Sequence, residues 1–370
     1  MRAWQLDRLG GHLKLIEAPI PEARPGTVVL ALEASVLMSY LARYVAGELP
    51  FYTAPEQPFT IGSNGIFKIH AIGRDVWHLR VGQRVILSSH LVAQENVADP
   101  SQLLLGVTSL GERPIQRDFP DGVLADYAVV PKELVTPIDG RGTPPTGSAP
   151  EWGRSSIDDL PALSPAQLAC AIRFSVPYGG WLRGRLAAGE TALVTGATGS
   201  YGSAAVLLAL ALGAARVVAA GRDPEALAAI TRDRVIPVRL TGDRVTDTAA
   251  LRAAAGGGAH VALDLVGTAT DPNATLAGLH ALRRNGRLVL MGSATAAIPL
   301  DYMALLVNNW EILGQFMYPT DGYRRLFDLV RAGLLDLTAI TPHCYPLADL
   351  PAAMAAASTV HSLACVVMTP

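Results

Sequence analysis

"LVTGATGSYGSAAVLLALALGAARVVAAGRD", Leu193 to Asp223, reads as a short apolar strand, a glycine-studded turn, a helix, and a second apolar strand ending in Gly221-Arg222-Asp223. The turn runs Gly196-Ala197-Thr198-Gly199-Ser200-Tyr201-Gly202. It keeps the second and third glycines of a G-x-G-x-x-G fingerprint and carries Ala197 at the first position. Gly199 lets the backbone come close to a pyrophosphate, whose charge sits at the N-terminus of the following helix, and Gly202 lets that helix pack on the strand. Glycine turns are common by themselves. Placed between a strand and a helix in a serial β/α pattern, this one reads as a dinucleotide site, with Tyr201 in position to shield the pyrophosphate.

The tail of the second strand selects the dinucleotide. An NAD site places an acidic residue there to hold the ribose 2′-hydroxyl, and that charge would repel a 2′-phosphate. This chain has Gly221, which leaves space, and Arg222, which offers a fork of donors for phosphate. Asp223 has a separate use as the cap of the next helix, ahead of Pro224. The expected coenzyme is NADP(H). The competing reading makes Arg222 a solvated charge and gives Asp223 the acidic role.

Outward from this stretch the alternation continues. "HVALDLVG", "GRLVLMG" and "NWEILGQFMY" read as strands, and "DPEALAAI" and "DPNATLAGLHAL" as helices each opened by Asp-Pro. Such alternation calls for a doubly wound parallel sheet covered by helices on both faces. The first half differs: "TVVLALEAS", "IFKIHAIG", "VGQRVILSSH" and "DYAVVP" are short β-type runs broken by Pro and Gly, the pattern of a compact β-rich barrel. Between the halves, Gly140 to Ser156 is dense in Gly, Pro, Ser and Thr and reads as a long connection near a domain boundary.

A chain of 370 residues has enough core for about two domains at ~150 residues each. A formal net charge of −2 and a pI near 6.4 give no reason to expect nucleic acid or an anionic membrane as partner. The longest apolar run is far short of the ~20 residues that span a bilayer, and the first residues do not resemble a secretion signal. Cys170, Cys344 and Cys365 are far apart in sequence and suit neither a disulfide framework nor a metal knuckle, so a soluble protein of a reducing cytoplasm is expected.

With these pieces in order, the chain resembles the medium-chain dehydrogenase/reductase superfamily, in particular its zinc-independent alcohol dehydrogenase-like and quinone oxidoreductase-like members. "VGQRVIL" is similar to its VGDRV strand, "DGVLADYAVVPKELVTPI" to its GGFAEY segment, and "DGYRRLFDLVRAGLLDLTAITPHCYPLADLPAAMAAA" to its closing segment. The resemblance implies an α/β protein: a GroES-like barrel from residues 1–165 and 313–370, and a Rossmann coenzyme domain from 166–312, with the active site between them. It also implies a homodimer paired through the edge strand in "NWEILGQFMY".

Zinc members of that superfamily take ligands from a Cys, from the His-Glu of a GHE turn, and from a later Cys. The first position here falls on Met38 or Leu37, the GHE turn reads Gly62-Ser63-Asn64, and Cys170 matches the last. One thiolate does not make a site that needs three protein ligands. The lobe from Ser88 to Pro114, which holds a structural zinc in many relatives, has no cysteine, and its His90 reads as structural. No metal is expected.

Without a Lewis acid, hydride has to go to an acceptor that spreads its own charge or is held by hydrogen-bond donors. A quinone or an activated C=C or C=X bond of a small apolar molecule fits best. A carbonyl or imine reductase, alcohol oxidation in reverse, and a non-catalytic cofactor-binding homologue are the alternatives. The resemblance puts Tyr40 at a proton-relay position, with Ser39 beside it and Tyr52 in a substrate loop, and has the nicotinamide gripped by backbone near Val266, Met291-Gly292 and Phe316-Met317. Tyr318 with Met317 would close the pocket from the coenzyme side. Arg183 and Arg185 are candidates for a phosphate contact or for solvation.

Overall fold

The structure, a computed structural model, describes residues 1–94, 96–110, 114–138 and 160–370. The Gly140–Ser156 connection lies outside the described residues. Six strands form one parallel sheet in the spatial order Val235–Arg239, Arg216–Gly221, Thr191–Thr195, Ala259–Asp264, Leu282–Leu290 and Glu311–Gly314. Numbered along the chain this is 3-2-1-4-5-6, the doubly wound dinucleotide-binding order, which opens a crevice at the carboxyl ends of the strands where the order reverses.

Strand alternation divides the core between the two faces. Ala192, Val194, Val217 and Ala219 pack on one side, and Leu193, Val218 and Ala220 on the other. Both sides are apolar, as a sheet covered twice requires. The outermost strand, Val235–Arg239, carries Pro237, which an edge tolerates because one side of the strand has no ladder to complete. This strand and the helix Arg244–Ala254 after it are additions to the elements read from the sequence.

Asp223 caps the helix Pro224–Ile230 through the backbone N–H groups of Glu225 and Ala226, as expected. The second Asp-Pro start differs. Pro272 itself is the cap of Asn273–His280, and among the described residues Asp271 accepts only from the Asn273 N–H, at 2.9 Å.

The other half is a β-rich unit built on the long strand Thr27–Val36, which pairs with Gly65–Ile72 and Tyr127–Pro131. The C-terminal strand Ala364–Thr369 returns to pair with the same strand, Val367 opposite Val36 and Met368 opposite Ser35, and Thr341–Pro346 pairs beside it. The first and last parts of the chain therefore share a sheet, and the parallel sheet lies between them in sequence. The helix Ile172–Arg183 joins the two units. An added Cβ at its Gly179 would come within 2.1 Å of the Met317 carbonyl oxygen, so only glycine allows this contact, and one at Gly180 would press on the side-chain ends of Leu263 and Met291 at 2.5 Å. No helix among the described residues is long and apolar enough to cross a membrane.

Candidate active site

The turn after Thr191–Thr195 has the geometry of an anion cradle. Gly196 is left-handed, with φ of +75°, and Gly199 is the N-cap of the helix Ser200–Ala211, with no side-chain cap and no acid in the first turn. The first N–H groups of that helix and the positive end of its dipole are open to a phosphate. Gly202 has no substitute, because a Cβ there would sit 1.9 Å from the Gly196 carbonyl oxygen. Ala197 is fully buried and donates its N–H to the Ala220 carbonyl at 2.9 Å, tying the turn to the neighbouring strand.

At the end of that strand, a Cβ on Gly221 would meet the Thr198 side chain at 2.5 Å. Glycine here therefore admits Thr198 as well as leaving space for a ligand. Arg222 is exposed and makes no hydrogen bond or ion pair among the described residues. Asp223 is engaged twice, by its helix cap and by His361 Nε2 at 3.2 Å from its second oxygen. Its cap N–H groups and His361 hold the carboxyl below the usual carboxylate range. The acid that would read a free ribose is occupied, and the guanidinium beside it is not.

Further along the crevice, Asp264 closes the strand Ala259–Asp264 and organises the loops. Its carboxylate accepts from Thr195 Oγ1 at 2.9 Å, Thr275 Oγ1 at 2.5 Å and the Val266 N–H at 3.0 Å, and its carbonyl accepts from the Met291 and Gly292 N–H groups. A Cβ on Gly292 would lie 2.3 Å from the Val266 carbonyl oxygen, so these two backbones meet through the absence of a side chain. Phe316 is half exposed and meets His90 edge-on at 5.5 Å between ring centres, while Met317 takes a left-handed φ of +55°.

Several tyrosines converge where the β-rich unit faces the coenzyme turn. Tyr40 stacks on Tyr52 at 6.0 Å, and Tyr52 meets the edge of Tyr44 at 5.7 Å. The Tyr44 hydroxyl is satisfied by the Val107 carbonyl at 2.7 Å. The Tyr40 and Tyr52 hydroxyls make no hydrogen bond among the described residues. Burial, then the neighbouring phenols of Tyr201 and Tyr52, push Tyr40 well above the usual tyrosine range, which keeps its proton in place at neutral pH. A cavity between the units is lined by Met38, Ser39, Tyr40, Ser200 and Tyr201. The Tyr201 hydroxyl donates to Met38 Sδ at 3.2 Å, so Tyr201 reaches across from the turn to the opposite wall. The Tyr318 hydroxyl lies 3.2 Å from Ser88 Oγ and 3.4 Å from the Tyr323 hydroxyl, which makes it part of a buried polar network.

The positions that would hold zinc have other partners. Met38 receives the Tyr201 hydroxyl, Asn64 Oδ1 accepts from the Val36 N–H at 3.1 Å, and the Asn64 carbonyl accepts from Ser35 Oγ at 2.7 Å. Cys170 turns to the Ala166 carbonyl and to Cys365. A thioether, an engaged amide and one thiol at those positions are a poor fit for zinc. Among the described residues no three His, Cys, Asp or Glu come together to hold a metal. His90 pairs with Gln102 at 2.9 Å within the three-stranded lobe sheet, and burial lowers its pKa.

Arg185 pairs with Glu311, at the start of the last strand of the parallel sheet and so at the opposite end from the phosphate turn; the sequence candidates Arg183 and Arg185 therefore stand apart from it. Two residues that sequence reasoning passed over hold the site together. Asp264 was legible as a carboxylate ending an apolar strand. Arg173 was legible as a charge inside the apolar helix "AIRFSVPYGGW", and its guanidinium donates to the carbonyls of Ser200, Ser362 and Ala364 and to Ser203 Oγ.

An uncapped glycine turn at the switch point of a 3-2-1-4-5-6 sheet, facing a β-rich unit across a cleft, defines a nicotinamide-dinucleotide-binding dehydrogenase of two domains. Comparison with known proteins gives the family: the alcohol dehydrogenase GroES-like domain matches residues 24–140 and the zinc-binding dehydrogenase domain residues 201–332. The chain belongs to the medium-chain dehydrogenase/reductase superfamily as an alcohol dehydrogenase-like oxidoreductase. It is 25% identical to the sorbitol dehydrogenase of Bacillus subtilis over 361 residues, covering 93% of this chain and 90% of that protein. Among solved structures it is similar to a thermostable alcohol dehydrogenase from Pyrobaculum aerophilum, with a TM-score of 0.74 and 21% identity over 100% of this chain and 99% of that one. A Sinorhizobium meliloti 1021 dehydrogenase solved bound to NADP gives a TM-score of 0.75 and 19% identity over the same shares.

Proposed function

We propose that this oxidoreductase uses NADP(H), works without zinc, and reduces an activated C=C, quinone or related C=X bond of a small apolar molecule in the cytoplasm. The observation that carries the reading is the contrast at the end of the second strand between Arg222, which has no partner among the described residues, and an engaged Asp223. The replaced ligand positions support the absence of zinc, and the Sinorhizobium meliloti protein supports the view that this fold accommodates NADP.

When bound, the coenzyme supplies the hydride. The chain's own residues do the rest. The N-terminus of Ser200–Ala211 and Arg222 would hold phosphate charge, and the backbone from Val266, Met291-Gly292 and Phe316-Met317 would hold the far end. Tyr40, protonated and without a partner among the described residues, donates a hydrogen bond and then its proton to the oxygen that gains charge. Ser39 and Tyr52 line the approach, and the apolar wall of Met38 and Leu37 keeps water from competing. The likeness to a sorbitol dehydrogenase favours one second reading, in which the same site interconverts an alcohol and a carbonyl.

The test is direct. The purified protein, after metal analysis, is mixed with NADPH or NADH and a panel of quinones, enones, ketones, imines and polyols while nicotinamide absorbance is followed. Turnover with NADPH on conjugated acceptors in zinc-free protein is expected. Stoichiometric zinc, or preference for NADH, would overturn the proposal.

A further inference from the structure

We propose that Cys170 and Cys365 form a redox-responsive dithiol, which a peroxide converts into an intramolecular disulfide beside the coenzyme turn. The two residues lie 195 positions apart, yet the fold brings their sulfurs to 3.5 Å, both as free thiols and both buried. Cys170 is the C-cap of the short helix Pro165–Ala169, and Cys365 is in the returning strand Ala364–Thr369. A disulfide needs its sulfurs at ~2.05 Å, so the thiols have a gap of about 1.5 Å to close.

Three features around the pair point the same way. Arg173 is buried with no carboxylate partner among the described residues; the Cys365 sulfur lies against its guanidinium, which also holds the Ala364 carbonyl, adjacent to Cys365, at 2.9 Å. Cys365 shares the interdomain cavity with Ser39, Tyr40, Ser200 and Tyr201, so a molecule as small as hydrogen peroxide has a route to it. Cys365 lines the cavity and stands against the Arg173 guanidinium, whereas Cys170 faces the Ala166 carbonyl in the interior. This assigns Cys365 as the attacking sulfur and Cys170 as the resolving one.

The steps balance. Cys365 thiolate attacks one oxygen of hydrogen peroxide, the O–O bond breaks, hydroxide leaves and takes a proton to become water, and Cys365 becomes a sulfenic acid. Cys170 sulfur then attacks the Cys365 sulfur, the S–O bond breaks, and the hydroxyl departs as water with the Cys170 proton. Two thiols lose two electrons, and one peroxide becomes two waters. An external thiol reductant reverses the change.

Cys344 is the internal control. In the parallel pair of C-terminal strands Cys365 lies opposite Pro342, which puts Cys344 on the same face two pairs further along, and it is exposed. The experiment treats the full chain with hydrogen peroxide, quenches under denaturing conditions with excess iodoacetamide, and maps the peptides without reduction. The expected product is a single Cys170–Cys365 cross-link, with loss of two hydrogens in mass, reversed by dithiothreitol and accompanied by a higher unfolding midpoint. Cys170→Ser should stop at a Cys365 sulfenic acid that dimedone traps, and Cys365→Ser should leave Cys170 fully alkylated. Oxidation confined to Cys344, any disulfide containing Cys344, or both buried thiols recovered as alkylated cysteine in the wild-type protein would overturn the proposal.

Discussion

In the proposed NADP(H) site, Arg222 and Asp223 divide one task. The carboxylate is anchored by its own helix and by His361, and the guanidinium extends into solvent where a 2′-phosphate would arrive. A charge-assisted hydrogen bond is worth ~1.5–3 kcal/mol, so Arg222→Gln should raise the Kd for NADPH by about 10–100-fold and leave NADH within about twofold, as measured by fluorescence titration. Equal losses for the two coenzymes would remove Arg222 as the discriminating group. Tyr40→Phe keeps the stack on Tyr52 and deletes the donor. It should lower kcat by about 100-fold with NADPH affinity unchanged, and unchanged turnover would take the proton-donor role away from Tyr40.

At the scale of the element, the strand-turn-helix unit depends on close approach that only glycine permits. Gly202 lies against the Gly196 carbonyl and Gly292 against the Val266 backbone, while Gly221 makes room for the Thr198 side chain. Gly202→Ala places a methyl group 1.9 Å from an oxygen of rigid backbone, where no side chain can move aside. It should destabilise the protein by about 3 kcal/mol or more, seen as a lower unfolding midpoint, and weaken both coenzymes alike because the helix start is displaced. A variant with an unchanged midpoint would show that the turn relaxes freely. Arg173 performs the complementary task between elements, joining the first turn of Ser200–Ala211 to Ser362 and Ala364 near the C-terminus.

For the whole molecule, the parallel sheet ends at Glu311–Gly314, which is paired only to Leu282–Leu290 among the described strands. The helix just before it, Tyr302–Asn308, has no buried residue and exposes Tyr302, Met303, Leu306 and Val307, each by half or more. We propose that a second copy covers this edge and continues the sheet across a two-fold axis. Sedimentation should give twice 38.9 kDa for the wild type. The double variant Met303→Lys, Leu306→Glu should sediment as a monomer with its far-ultraviolet circular dichroism intact. A wild-type monomer at micromolar concentration would refute the interface.

The architecture was legible in the sequence because backbone rules act locally. Alternating strands and helices require a covered parallel sheet, and the glycines of residues 196–202 mark a turn that only glycine can make. The strand at Val235–Arg239 was harder to read, since Pro237 interrupts its pattern and is tolerated only at an edge that pairing partners define. The candidate site was legible where chemistry stays close in sequence, as at Gly221-Arg222-Asp223. Elsewhere it depended on contacts between distant segments: Tyr201 reaching Met38, His361 reaching Asp223, and Arg173 gathering three carbonyls. Spacing alone set the three cysteines apart, and chain return put two of them in contact. A sequence determines which residues can bend, pair or carry charge, because those properties belong to each residue and its neighbours. Only the tertiary structure decides which charges are left unpaired and which sulfurs meet, because burial and distance are properties of the packed chain.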